Sequence, residues 1–349
     1  MRWRDIIAYL MLCSAVPVAR ATAQASRGPT GTLIVSNMND NTATIVDVAS
    51  NHVLATLPTG EGPHEVAASH DGRWAVVSNY GVRGKPGNSI TVIDVARLRV
   101  VRTIDLQEHR QPHGMAFLPG DTILAVTEQA NKAVLLIDFR SGVVIRTLPT
   151  NGRVPHMLGL SASGDRIVTG NISDGNISVL SVSSTMEPRL IPVARQPEGI
   201  AIAPDGGTAW VGSNRDSVVL VVNINSGAVV DTLKGFGLPY RMVASANGKI
   251  VAVTDPMSAT VRIFEAATHR EKFKIDVPRD SVVATAEVPG SPSPEGIAMS
   301  ADSRWAFVTL QGRNRVITVD LDRGAIVGWA PTGTWSDGIA YSALTHAVR

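Results

Sequence analysis

From residue 31 onward the chain alternates short apolar runs with short polar turns, and the runs come in sets. One set begins at Pro197 as PEGIAIAPDGGTAWVGSN: a small apolar run, an Asp-Gly turn, and a second apolar run with a polar end. A third run, VVLVVNI at 218–224, and a fourth, AVVDTLK at 228–234, follow across the turn Asn225-Ser226-Gly227. Runs this short, punctuated by turn residues, predict strands rather than helices. Asp-Gly supplies the positive φ of a tight hairpin. The first run is rich in Gly and Ala, as expected of a strand crowded around a common axis. The third is apolar on both faces, as expected of a strand covered from both sides.

The set repeats. GPHEVAASHDGRWAVVSN begins at Gly62, QPHGMAFLPGDTILAVTE at Gln111 and VPHMLGLSASGDRIVTGN at Val154. Further copies start at Pro239 and Pro294, and a shortened one, SDGIAYS, at Ser336. The residue after the proline position is in turn His64, His113, His156, Glu198, Tyr240, Glu295 and Asp337, at spacings of 49, 43, 42, 42, 55 and 42. A period in the low forties with four strands per unit predicts an all-β fold, a β-propeller of four-stranded blades. Residues 32–58 hold strands two to four of a unit but lack the first, and residues 337–342 hold a first strand with nothing after it. Joined, they make a seventh blade, so the C-terminal segment supplies the inner strand of the N-terminal blade and no open sheet edge remains. Two units carry insertions, residues 81–89 between strands two and three and residues 276–293 at an outer edge, both expected to be loops or small excursions rather than domains.

Length and composition agree with one large repeat domain, residues 31–349 of 349, with 44% hydrophobic and 18% charged residues. Residues 1–25 read as a secretory signal peptide: Arg2 and Arg4, then the apolar run 6–16, then ATAQA with cleavage after Ala23 or Ala25. Cys13, the single cysteine, lies inside it, and Leu12 before it is too large for a lipid-anchor site. The expected protein is periplasmic or secreted, free of disulfides, without a membrane span, and monomeric. The chain has 32 Lys+Arg and 30 Asp+Glu; removing residues 1–25 takes three arginines and one aspartate, leaving 29 of each sign. A neutral mature chain gives no electrostatic reason to expect nucleic acid as a partner.

The repeat register places the seven slot residues around the channel mouth on one face. Three consecutive blades offer imidazoles, and Glu198, Glu295 and Asp337 offer carboxylates. Histidine with carboxylate is a transition-metal donor set, and it is equally suited to acid–base work. The expectation is one divalent ion on His64, His113 and His156, or a small ligand in the mouth; the bland alternative is that these groups bond only to neighbouring loops. A second ring, from the ends of the second strands, is Asn37, Asn79, Glu128, Asn171, Asn214, Asp255 and Gln311. Arg241 and Arg215 flank the slot on the same face and are expected to pair with ring acids, the alternative being bidentate binding of a carboxylate or phosphate. His52, His70, His109, His269 and His346 fall in turns, loops and the tail, and are expected at the surface. Trp74 and Trp305 are expected to pack, and Trp335 to wall the mouth. The chain beyond residue 25 has no Gly-x-Ser-x-Gly elbow, phosphate-binding glycine loop or Cys-x-x-Cys-His, which argues against a serine hydrolase, a nucleotide enzyme and a c-type haem protein.

The unit PEGIAIAPDGGTAWVGSN resembles that of the YVTN-repeat propellers, roughly Pro-x-Gly-Ile-Ala, Pro-Asp-Gly, Tyr-Val-Thr-Asn and an apolar strand ending in Asp. Val77–Gly81, VSNYG, is similar to a segment of the lactonase-like members of that wider group. The group also includes streptogramin lyases and the propeller domains of nitrous oxide reductase and dissimilatory nitrite reductase. The resemblance implies the fold across nearly all of the mature chain and leaves function open. Three expectations stand: a small-ligand or metal-binding propeller, a metal-assisted lactonase or lyase using the same ring, and a platform whose protein partner docks at the mouth.

Overall fold

The computed structural model describes residues 28–279 and 288–346. The proposed signal peptide and part of the 276–293 insertion lie outside the described residues. Seven four-stranded antiparallel sheets follow one another around a central axis, a seven-bladed β-propeller, as the repeat period requires. Blade 1 is closed as expected: Ser336–Ser342 pairs with Thr32–Asn37, Leu33 opposite Tyr341, ahead of Thr42–Asp47 and His52–Pro58. The innermost strands of blades 2 to 7 are Pro63–Ala68, Pro112–Phe117, Pro155–Leu160, Pro197–Ile202, Met242–Ala244 and Pro294–Met299. No helix among the described residues is long and apolar enough to cross a membrane.

The core sits between blades. Seven apolar clusters each take side chains from two neighbouring blades, so every interface around the ring has one. Val92, Leu135 and Leu220, for example, stand on third strands and are buried against the next or previous sheet. That accounts for third strands apolar on both faces. At the rim a device unseen in the apolar pattern joins blades. Arg102, Arg146 and Arg189, on successive outer strands, donate to backbone carbonyls at the outer turn of the next blade: Arg140, Val182 and Ile224.

One insertion is a small excursion of its blade, not a domain. Across residues 81–89 the second and third strands of blade 2 run on as Trp74–Val82 and Lys85–Asp94, turning at Arg83-Gly84. Gly84, the second central residue, takes φ +84 and Arg83 does not, the pattern of a type II turn, which requires glycine at that place. The arm stands over the face that carries the slot residues.

Candidate functional site

The slot works through a β-bulge. In blade 2, Pro63 pairs with Asn79 and Val66 with Val77, so three steps on the inner strand match two on its neighbour. The same shift occurs in blades 3, 4, 5 and 7 and, between Ser336 and Ile339, in blade 1. A bulge breaks the strict in–out alternation and re-aims side chains. Both the slot residue and the residue after it can then face the axis. The slot carbonyl is held by the preceding blade: Ser36 Oγ donates to His64 O at 2.5 Å, Thr127 Oγ1 to His156 O at 2.5 Å and Thr309 Oγ1 to Asp337 O at 2.8 Å. The glycine after the slot makes room for this close approach. A Cβ on Gly296 would lie 2.1 Å from Asp337 O, and one on Gly338 2.3 Å from His64 O.

The slot side chains do meet at the neck of the channel. The His64 and His113 rings are 4.3 Å apart centre to centre, and those of His113 and His156 3.6 Å. His64 Nδ1 is 2.6 Å from Asp337 Oδ2, and His156 Nε2 is 2.8 Å from Glu198 Oε1. Arg241 closes the network across the axis: Nε and Nη2 donate to Glu65 Oε1 at 3.0 and 2.6 Å, and Nη1 to Glu198. This is the pairing expected of Arg241, with Glu65 as an unforeseen second acid. Arg215, by contrast, is exposed. Tyr240 lies under the Arg241 guanidinium, 4.3 Å from ring centre to Cζ. Glu295 is buried and accepts from Gln311 Nε2 at 2.7 Å.

Tyr80 extends the network toward solvent. Its hydroxyl donates to Gln129 Oε1 at 2.8 Å and accepts from Gln111 Nε2 at 2.9 Å. The Gln129 amide then presents its NH2 to His156 Nδ1 at 2.6 Å. Both ring nitrogens of His156 are thus engaged, Nδ1 by Gln129 and Nε2 by Glu198. His113 differs from its neighbours. It is wholly buried, and neither ring nitrogen has a hydrogen-bond partner among the described residues.

Burial opposes charge at every one of these groups, and contacts decide the outcome. At His64 burial pushes the pKa down, but Asp337 and Glu65 outweigh it and raise it to about 10. Burial would raise both glutamates. Arg241 and then His64 bring Glu65 down to about 2, and His156 and Arg241 bring Glu198 down to about 2. Burial, reinforced by His156, His64 and Arg241, holds His113 well below the usual histidine range. Arg241 stays charged, since Glu65, Tyr240, Glu198 and Asp337 overcome its burial.

The second ring is placed differently from its expectation. Asn37, Asn79, Glu128 and Asp255 turn into the loops and cap backbone there. Asn37 Oδ1 accepts from Gly333 N, Asn79 Oδ1 from Gly60 N, and Asp255 from Gly237 N and Leu238 N. Glu128 accepts from Arg110 N and Asn131 N, and the Asn171 amide donates to Asn176 and Ser178. The Asn214 backbone N–H donates to Gln196 O, and its side-chain Oδ1 is buried with no hydrogen-bond partner among the described residues. Short polar side chains at strand ends satisfy turn backbone at low cost, and that need places them here. Gln311 alone reaches a slot residue. Two outlying histidines also depart from the surface expectation: His109 is largely buried 3.8 Å from Glu128, and His269 packs on Trp210 with Nδ1 2.9 Å from Asp231.

Beside His64 a cavity of about 710 Å³ opens under the Tyr80–Pro86 arm. It is lined by Met38, Asn39, Gly62, His64, Tyr80, Gly81, Val82, Arg83, Gly84, Pro86 and Gln111. Below the Arg241–Glu65 pair lies a second cavity of about 310 Å³, within the barrel of inner strands.

No family model matches the chain. The antigen Lp49 of Leptospira interrogans is 20% identical over 239 residues, 66% of this chain and 47% of Lp49, so the match spans about half of that relative. Among solved structures, a chain of Kuenenia stuttgartiensis hydrazine synthase superposes with a TM-score of 0.66 at 21% identity, over 78% of this chain and 88% of that one. A functionally unknown protein from Desulfotomaculum acetoxidans gives a TM-score of 0.72 at 14% identity, over 90% and 99%. At such identities the likeness is one of fold.

Proposed function

We propose that this is an exported YVTN-type propeller that holds a small organic anion in the cavity beneath the Tyr80–Pro86 arm. The lining of that cavity carries the reading. Its polar side chains are Asn39, His64, Tyr80, Arg83 and Gln111, and none is a carboxylate. Met38, Val82 and Pro86 add apolar surface. A few convergent donors on an otherwise apolar wall, in a space of some hundreds of cubic ångströms, is the usual make-up of a small-molecule site. Donors without competing acids suit a carboxylate on an apolar body. The repeat unit and the VSNYG segment support the family, and residues 1–25 support export.

Calorimetric titration of chelator-treated protein with hexanoate, hexanamide and hexylamine tests the reading. Hexanoate is expected to bind and the other two to bind at least about tenfold more weakly, the equivalent of one lost charge-assisted hydrogen bond. Arg83→Ala is expected to remove that preference. Equal binding of all three, or of none, would contradict the proposal. For export, the N-terminus of the secreted protein is expected at Gln24 or Ser26, and a protein retaining Met1 would contradict it.

A further inference from the structure

We propose that His64, Glu65 and His113 form a site for one divalent transition-metal ion at the neck of the channel, with Asp337 fixing the His64 ring. This deepens the reading of the mouth as a ligand site. One donor atom from each of the three residues lies within 4.8 Å of the others. A tetrahedral ion with bonds of about 2.0–2.1 Å sets its ligand atoms roughly 3.4 Å apart, so small side-chain rotations bring the three into place.

Two observations support the assignment. The first is His113. A wholly buried imidazole with two unpartnered nitrogens loses the bonds it had with water, a cost native proteins rarely accept. Coordination satisfies one nitrogen with a neutral ring, the form that binds metal. The second is the pairing of His64. Its Nδ1 faces Asp337 Oδ2 at 2.6 Å, which leaves Nε2 for the ion. A carboxylate behind a ligating histidine is the usual outer support of a metal site. His156 is not a ligand, because Gln129 and Glu198 occupy both its nitrogens. The His/His/Glu set suits Zn²⁺ and its neighbours rather than Mg²⁺ or Ca²⁺. His64 also lines the mouth cavity, so an anion held there lies next to the ion.

The test titrates the chelator-treated full chain with Zn²⁺, and with Co²⁺ read by its visible absorption. One ion per chain is expected, with the intense bands of four-coordinate Co²⁺. His113→Ala and Glu65→Gln are expected to weaken Zn²⁺ binding by at least about a hundredfold, and Asp337→Asn by about 10–100-fold. His156→Ala is expected to stay within about tenfold of the parent, since it loses no ligand. Circular-dichroism melting confirms that each variant is folded, and His113→Gln replaces His113→Ala if the latter is not. Failure of the folded parent to take up one Zn²⁺, or equal losses in the His156 and His113 variants, would overturn the site. Hexanoate binding is measured without metal, so a null metal titration with hexanoate binding intact removes the ion alone.

Discussion

Arg241 and Glu65 are 176 residues apart in the chain, yet the guanidinium Nη2 lies 2.6 Å from the carboxylate across the channel. Glu198 holds the same guanidinium from a third blade. The pair ties opposite sides of the ring and divides the channel into the mouth cavity and the lower cavity, since Glu65 and Arg241 line the latter. Removing one partner of a buried pair leaves the other's charge uncompensated. Arg241→Ala is therefore expected to cost about 3–5 kcal/mol in chemical denaturation, with two carboxylates left stranded. Arg241→Lys is expected to recover only part of this, because an ammonium lacks the planar fork that serves both acids. A loss under about 1 kcal/mol in the alanine variant would show that the pair is not desolvated as described.

Acid stability follows from Glu198. Its pKa is lowered in the folded protein to about 2, against 4.5 for the ordinary group. A lowered folded value means that the unfolded chain binds the proton first as pH falls. The stabilising contribution is therefore complete above pH 4.5 and is lost as pH falls toward 2. Unfolding free energies from urea titrations between pH 7 and pH 3 are expected to fall more steeply in the parent than in Glu198→Gln, which has no proton to gain there. Parallel pH profiles would mean that Glu198 is not held ionised by His156 and Arg241.

Closure can be tested by truncation. A chain ending at Trp335 loses Ser336–Ser342 and exposes the Thr32–Asn37 strand edge. It also loses Asp337 and the apolar contacts of Ile339 and Ala340 with blades 7 and 2. An unpaired strand edge is a template for aggregation. The truncated protein is expected to be insoluble or oligomeric in size-exclusion chromatography. A monomer with the parent's melting temperature would contradict the role given to the C-terminal strand.

The sequence made the fold legible because the architecture is repetitive. A period in the low forties, Asp-Gly turns and doubly apolar third strands each followed from a constraint that every blade meets. The slot was legible for the same reason: one column of the repeat must ring the axis, and His64, His113, His156, Glu198 and Asp337 do meet there. Glu65 was missed because the next column holds mostly glycine, and strict strand alternation turns it away from the channel; the bulge reverses that. Arg241 stands in the same column and was the available signal. Tyr80 and Gln129 were missed because the repeat does not show which side chains beyond the strand ends bend inward. The second ring was read by its face of the propeller alone. The side chains of Asn37, Asn79, Glu128 and Asp255 serve turn backbone, a role their residue types already suggest.

The central claim is that the mouth beneath the Tyr80–Pro86 arm is a ligand site, and a crystal structure of the protein soaked with hexanoate tests it most directly. The carboxylate density is expected within hydrogen-bonding distance of Arg83 or Asn39, with the alkyl chain against Met38, Val82 and Pro86. A soak that saturates binding in solution yet leaves this cavity free of ligand density, or places the ligand in the lower cavity beyond Arg241 and Glu65, would contradict it.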